Sequence, residues 1–360
     1  MKRYVFAEKG LPNRLCISFL CGAKYNEKNA ADKRNVLKAH IESLNPANHV
    51  IILEQNFDFA SSNKALLKYD DIFLRNLRDV ETLTALYSDC VFIIHESLST
   101  AAELGLFSTD SAIRQKLCLL VPDKYAVEEE KISSFIRLAF FRNSSDIVQI
   151  PFYPAVETWR KSEYKSDYRT TFAKNVIGPF ASRSIMGFIA SKEQQKIQIR
   201  LQRGQYGNGT LDMNTISYVM RGESSVDIQV PPVILRTQIM SLFNIRGFQN
   251  ELRNSKRLDQ HVTFIENWYN EMMKNTVANK EGRNIGSISI TIKGSDIKLR
   301  VALAYVVYLL QAMRCVTLRQ SPVNENERIF EVGPRIAKVI SQYAAFVSIC
   351  EPSRFSRMMS

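Results

Sequence analysis

Residues 90–105 read Cys90-Val91-Phe92-Ile93-Ile94-His95-Glu96-Ser97-Leu98-Ser99-Thr100-Ala101-Ala102-Glu103-Leu104-Gly105. The apolar opening, rich in β-branched and aromatic side chains, predicts a fully buried strand. Two carboxylates, Glu96 and Glu103, then flank a turn, with Glu103 expected in the first turn of the next helix. In open α/β sheets ligands bind outside the carboxyl ends of the strands. Both carboxylates are therefore expected at the mouth of a crevice.

Similar buried runs occur on either side. Residues 15–23 predict a strand ending at Cys21-Gly22, residues 49–54 a second, and residues 116–122 a fourth after the one at 90–95. A fifth is expected at 146–151. Between them, Val36, Leu37, Ile41 and Leu44, then Ile72, Leu77, Val80, Leu83 and Leu86, and then Ile132, Phe135, Ile136 and Phe140 recur at helical spacing. Alternation of buried strands with amphipathic helices predicts a parallel, doubly wound sheet with right-handed crossovers.

After Trp159 the rhythm changes. Residues 161–168 are polar and are expected to be a linker, and 170–280 to be mainly helical. Residues 299–346 read as helix, strand, turn, strand and helix, the last opening with Pro334 at its first position. That is the order of a winged helix, in which one helix enters the major groove and the hairpin touches the backbone. The expected division is a domain over 1–160 and a helical, basic domain over 161–360.

Charge follows that division. The net charge is +12, of which about +1 falls on residues 1–165 and about +11 on 166–360. Such asymmetry suggests a polyanionic partner for the basic half, with a solvated basic surface as the plain alternative. Arg314, Arg319 and Arg328 lie on the expected helix and wing and are the candidate DNA contacts. The six cysteines form no C-x-x-C pair and fall in apolar runs, as reduced core cysteines do. The four histidines are scattered, so no protein-built metal site is expected. No apolar run is long enough to cross a membrane, and the short apolar patch at 4–7 is no signal peptide, so a cytoplasmic protein is expected.

Glu103 has two readings. It could attack or stabilise the anomeric carbon of a glycoside, whose cleavage passes through an oxocarbenium-like transition state. Alternatively Thr100-x-x-Glu103 is a capping box in which Glu103 serves only the helix. Glu96 is either a rim carboxylate or a group that binds ribose or donates a proton. Gly22 permits close backbone approach to a ligand or is simply a turn residue. A dinucleotide G-x-G-x-x-G is absent.

Taken together, Cys21-Gly22, Glu81, Glu96, Ser97, Ser99, Thr100 and the Glu103-Leu104-Gly105 triplet resemble the nucleoside 2-deoxyribosyltransferase-like family. Within it, the chain is most similar to effector proteins encoded with bacterial retrons, which join such a domain to a C-terminal winged helix. The resemblance implies Glu103 as catalytic nucleophile with Glu96 near the sugar, and Cys21, Gly22, Glu81, Ser97, Ser99 and Thr100 around the substrate. It implies no cofactor. It further implies a toxic effector of antiviral defence that cleaves the N-glycosidic bond of NAD or another nucleotide. Its expected partners are the retron reverse transcriptase and its RNA–DNA product (msDNA), in an oligomeric complex. Leu98-Ser99 replace an Asp-Ser-Gly-Thr pattern, which leaves base choice, and transfer versus hydrolysis, open. The competing readings are a non-catalytic nucleotide-sensing DNA-binding regulator and a TIR-type NAD hydrolase.

Overall fold

The computed structural model describes residues 3–12, 15–56, 77–122, 152–153, 156–162, 165–169, 172, 175–193, 196–204 and 214–350. Contacts divide the chain into two units. One comprises Asn13–Phe57 with Val80–Gln195, the other Met1–Pro12, Asp58–Asp79 and Lys196–Ser360. The last passage of the chain from the first unit to the second thus falls after residue 195, where a boundary near 160 was expected, and its first strands, β1 (Arg3–Phe6) and β2 (Gly10–Pro12), belong to the second unit.

The first unit is built on β3 (Cys16–Cys21), β4 (Asn48–Ile51), β5 (Cys90–Ile94), β6 (Leu117–Pro122) and the two-residue β7 (Phe152–Tyr153). All neighbours are parallel, in the order β4-β3-β5-β6-β7. Counted within the unit this is the doubly wound order 2-1-3-4-5, whose switch point lies between β3 and β5. The expected strand at 146–151 and the helix stripe at 132–140 lie outside the described residues.

Every residue of β3 and β5 is buried, the signature of strands covered on both faces. One face carries Cys16, Leu20, Phe92 and Ile94 against Val36, Leu37 and Ile41 of α1 (Lys33–Leu44) and Ile185, Phe188 and Ile189 of α6 (Pro179–Glu193). The Phe92 and Phe188 rings meet edge to face at 5.6 Å. Phe19 points the other way and meets Phe107 of α4 (Leu98–Ser108) at 6.1 Å. Each such fully buried side chain contributes about 1.5–3 kcal/mol. Before α4 come α2 (Leu53–Asn56) and α3 (Leu77–Tyr87), and after it the short α5 (Ser111–Arg114). All described cysteines are free, and all but the half-buried Cys350 are buried.

Of residues 161–168, expected as a linker, the described ones, 161–162 and 165–168, instead fall in an antiparallel pair, β8 (Val156–Ser162) with β9 (Lys165–Arg169).

In the second unit β1 pairs with β18 (Val347–Cys350) and β2 with β10 (Lys196–Gln198). A four-stranded sheet follows the order of β11 (Arg200–Arg203), β12 (Thr215–Arg221), β13 (Ser225–Val230) and β15 (Ser287–Ile292). These strands correct the mainly helical expectation for 170–280. Ile216 and Tyr218, then Val226, Ile228 and Val230, are buried at period 2. Gly222 turns between them at φ 69°. Helices α7 (Pro232–Leu242), α8 (Arg246–Leu252) and α9 (Leu258–Glu281) do occupy the rest of that stretch.

The order expected over 299–346 is present as α10 (Leu299–Ala312), β16 (Val316–Gln320), β17 (Glu327–Val332) and α11 (Pro334–Gln342). β14 (Lys256–Arg257) lies on the other side of β17. The difference is in α10, whose residues 302–310 are all buried. An apolar helix covered in this way offers no face to a DNA groove, which corrects the expectation that it reads DNA.

Candidate active site

The carboxyl ends of β3 and β5 meet at the switch point. β3 ends at Cys21, and Gly22 opens the turn into α1. A Cβ on Gly22 would stand 3.1 Å from Cδ and 3.2 Å from Nε of Arg34. Any side chain at this position would require the arginine stem to give by a few tenths of an ångström.

Arg34 is buried, 3% exposed. Its guanidinium donates twice to Glu54, at 2.9 and 3.1 Å, and once to the Ala23 carbonyl. It also lies over the Tyr25 ring, 4.8 Å from the centroid. The approach is organised by the N-cap of α1: Asp32 accepts from the backbone N–H groups of Arg34 and Asn26, both at 2.9 Å. Asn35 donates to the carbonyls of Asn26, Glu27 and Asn29. Lys33 is buried too and forms an ion pair with Glu96 just past β5. Burial pushes its ammonium down to about 7, against the pull of Asp32. Two cations in the first turn of a helix oppose its dipole, and the carboxylates of Glu96 and Glu54 offset that.

The turn before α4 differs from its expected form. Ser97 is the N-cap, and the capping box joins Ser97 to Thr100. The Ser97 hydroxyl accepts from Thr100 N–H at 3.3 Å. The buried Thr100 hydroxyl donates to the Ser97 carbonyl at 2.7 Å and accepts from the N–H groups of Ser97 and Glu96 at 3.0 and 3.2 Å. Thr100-x-x-Glu103 is therefore not the box. Glu103 falls in the second turn of the helix, beyond the first turn where it was expected. Ser99 is exposed, with its hydroxyl 2.8 Å from that of Ser97. Leu98 is 91% exposed.

With no capping duty, Glu103 joins a carboxylate cluster. Its Oε2 is buried with no hydrogen-bond partner. Burial first, then the charges of Glu81 and Glu54, push its carboxyl up to about 8, while Arg34 pulls it down. Burial, with Glu54, also raises Glu81. The Cys21 thiol feels the same four groups, and burial holds it well above the usual thiol range, a neutral wall and not a nucleophile. A buried carboxyl pushed toward neutrality beside a second one is the usual setting for acid–base or nucleophilic work. Among the described residues no group of three His, Cys, Asp or Glu is placed to hold a metal ion.

The structure thus brings together Cys21, Gly22, Glu81 and Glu103. Glu96 is tied to Lys33, and Thr100 and Ser97 serve the helix start. Arg34 and Lys33 escaped the sequence reading, and Glu54 was visible only as one carboxylate among many. The one available signal was a Lys-Arg pair opening a helix, where acidic residues are favoured.

Arg314, Arg319 and Arg328 lie in the second unit. Arg314 is exposed in the left-handed region, φ 57°, just after α10. Arg319 is exposed, 3.8 Å from Glu331. Arg328 donates to the carbonyls of Glu325 at 2.6 Å and Glu327 at 2.9 Å, holding the hairpin turn.

The STM3845 retron effector protein family matches residues 30–198, a little under half of the chain. The span takes in Lys33, Arg34, Glu54, Glu81, Glu96 and Glu103, and leaves out Cys21 and Gly22. No curated protein matches the chain.

Proposed function

We propose that the chain is the effector of a bacterial retron defence system and that its first unit cleaves an N-glycosidic bond of NAD or another nucleotide. The observation that carries the chemistry is Glu103, a half-buried carboxyl with one buried, unpartnered oxygen near the switch point of the sheet. The retron role is supported by the family similarity over residues 30–198.

In this reading a carboxylate oxygen of Glu103 bonds to the anomeric carbon as the carbon–nitrogen bond breaks, and the electron pair leaves with the base. Nicotinamide leaves without needing a proton. Other bases take one from Glu81, whose carboxyl is raised by burial and by Glu54. Water then attacks the sugar carbon and the ester to Glu103 breaks; the proton released by water goes to Glu81 where Glu81 gave its own to the base, and to solvent where nicotinamide left without one. The carboxylate of Glu54 favours the cationic transition state. Net hydrolysis fits better than base exchange, because exposed Leu98 and Ser99 make no snug, base-specific turn.

The expected partners are the retron reverse transcriptase and its msDNA, held by the basic second unit through phosphates. The test is incubation of purified protein with NAD and with deoxynucleotides, with and without excess free base. Free base and the ribosyl or deoxyribosyl product should form without an acceptor and fail to form with Glu103→Gln. Turnover that requires an acceptor base would make the protein a transferase, and full activity of Glu103→Gln would end the glycosidase reading.

A further inference from the structure

The turn that joins β16 to β17 spends its polar groups on itself. The hydroxyl of buried Ser321 accepts from the N–H groups of Val323 and Asn324, at 3.2 and 3.4 Å. The Asn324 side chain accepts from Asn326 N–H at 3.0 Å and donates to the Glu327 carboxylate at 3.2 Å. Ser321 N–H donates to the Glu327 carbonyl at 3.0 Å, and the side chains of Gln320 and Arg328 both donate to the Glu325 carbonyl. The strand below is braced as well. Buried His261 of α9 donates from Nε2 to the Arg328 carbonyl at 2.8 Å, and its ring meets Phe330 edge to face at 4.5 Å. A turn fixed in this way has little freedom left to lose on binding. What it holds outward is Val323, 91% exposed, next to exposed Pro322.

One exposed valine is ordinary on a protein surface, but the charge around this one is not. Residues 166–360 carry about +11, yet 321–327 read Ser-Pro-Val-Asn-Glu-Asn-Glu, with two carboxylates and no lysine or arginine. Arg328, the next cation, is turned back onto the carbonyls of Glu325 and Glu327. Apolar wedges that enter a DNA minor groove work among Arg and Lys, whereas this one would bring carboxylates up to phosphates. Like charges across an interface select against a partner. The tip therefore suits a protein surface in which cationic side chains surround a small apolar socket.

We propose that the β16–β17 tip is a docking finger for protein and that, of the two partners of the defence complex, its occupant is the reverse transcriptase and not the msDNA. Val323 fills the socket and Glu325 meets the cations at its rim. A polymerase has such cations to offer because it holds phosphates itself, and msDNA has none. The inference rests on the reading of the chain as a retron effector.

The experiment uses the full chain and two probes: the retron's reverse transcriptase freed of nucleic acid by nuclease, and msDNA freed of protein. Val323→Ser, which removes the apolar side chain without adding charge, should weaken binding to the reverse transcriptase by about tenfold and leave msDNA binding unchanged. Val323→Leu should keep most of the affinity. Glu325→Lys should slow association with the reverse transcriptase and reduce its dependence on salt. Both positions are exposed, and melting curves check that the variants fold. Unchanged affinity of Val323→Ser for the reverse transcriptase overturns the docking role. A loss confined to msDNA also overturns it and makes the tip a groove wedge. A wild-type chain that does not bind the reverse transcriptase overturns the partner reading as well as this inference.

Discussion

Lys33, the first residue of α1, forms an ion pair with Glu96 beyond the end of β5, and both side chains are largely withdrawn from water, at 5% and 16% exposure. The pair ties the two sides of the switch point together. Removing one member of a buried pair leaves the other charge desolvated, which costs about 3–5 kcal/mol, whereas removing both with apolar groups of similar volume is far milder. Glu96→Leu and Lys33→Met should each lower stability toward unfolding by about 3 kcal/mol, and the two together should recover most of it. Urea titration of the four proteins measures this. Additive losses would mean the contact has no energetic consequence.

Glu103→Gln should abolish turnover and change the pH dependence of stability. The wild-type carboxyl, raised to about 8, binds its proton more tightly folded than unfolded. Its contribution is present below the ordinary carboxylate pKa and is lost as pH rises toward 8. The variant should therefore gain on the wild type as pH rises from about 5 to about 8, by up to roughly 5 kcal/mol. Denaturation midpoints at several pH values check it, and a pH-independent difference would contradict the raised carboxyl.

Gly22→Ala should destabilise the first unit by about 1–2 kcal/mol, the usual range for crowding a packed site. The new methyl would meet the Arg34 stem at 3.1 Å, and four contacts resist its withdrawal. A Tm equal to wild type would show that Arg34 shifts freely.

DNA binding by the second unit should be non-specific and steeply salt-dependent. α10 is enclosed, so the contacts left are phosphate contacts, and affinity should fall with a slope near −0.9 per phosphate on duplex. Reversing Arg314 and Arg319, both exposed, should flatten that slope. Arg328→Ala should instead loosen the hairpin, since this side chain bonds the turn carbonyls. Mobility shifts across a salt series decide it, and binding insensitive to salt would remove the phosphate reading.

The strands of the first unit were legible because both faces are covered, so burial writes itself as unbroken apolar runs such as residues 90–94. The second unit was harder. Ser225–Val230 alternates with period 2, whereas Thr215–Arg221 opens with four buried residues in a row, and both are set among helical stretches that drew the whole region into one class. Of the site, Glu103 was visible through its position after a strand. Arg34 was not, because its role depends on Glu54, twenty residues on, and on Gly22 lacking a side chain. The Thr100–Glu103 capping box failed as a prediction because Ser97, one turn earlier, bonds the same threonine.

The strand pairing of the second unit orders events during synthesis. β1 leaves the ribosome long before its partner β18, and Arg3 finds Cys350 only after the residues between them have been made. The sheet that carries Glu103 has all its strands by residue 153 and can assemble while that early strand still waits. Domains commonly fold in such an order, amino-terminal first. Here it means that the carboxylate cluster can be complete on a nascent chain before the basic unit has closed, so any partner that restrains the protein through that unit would arrive after the chemistry is in place.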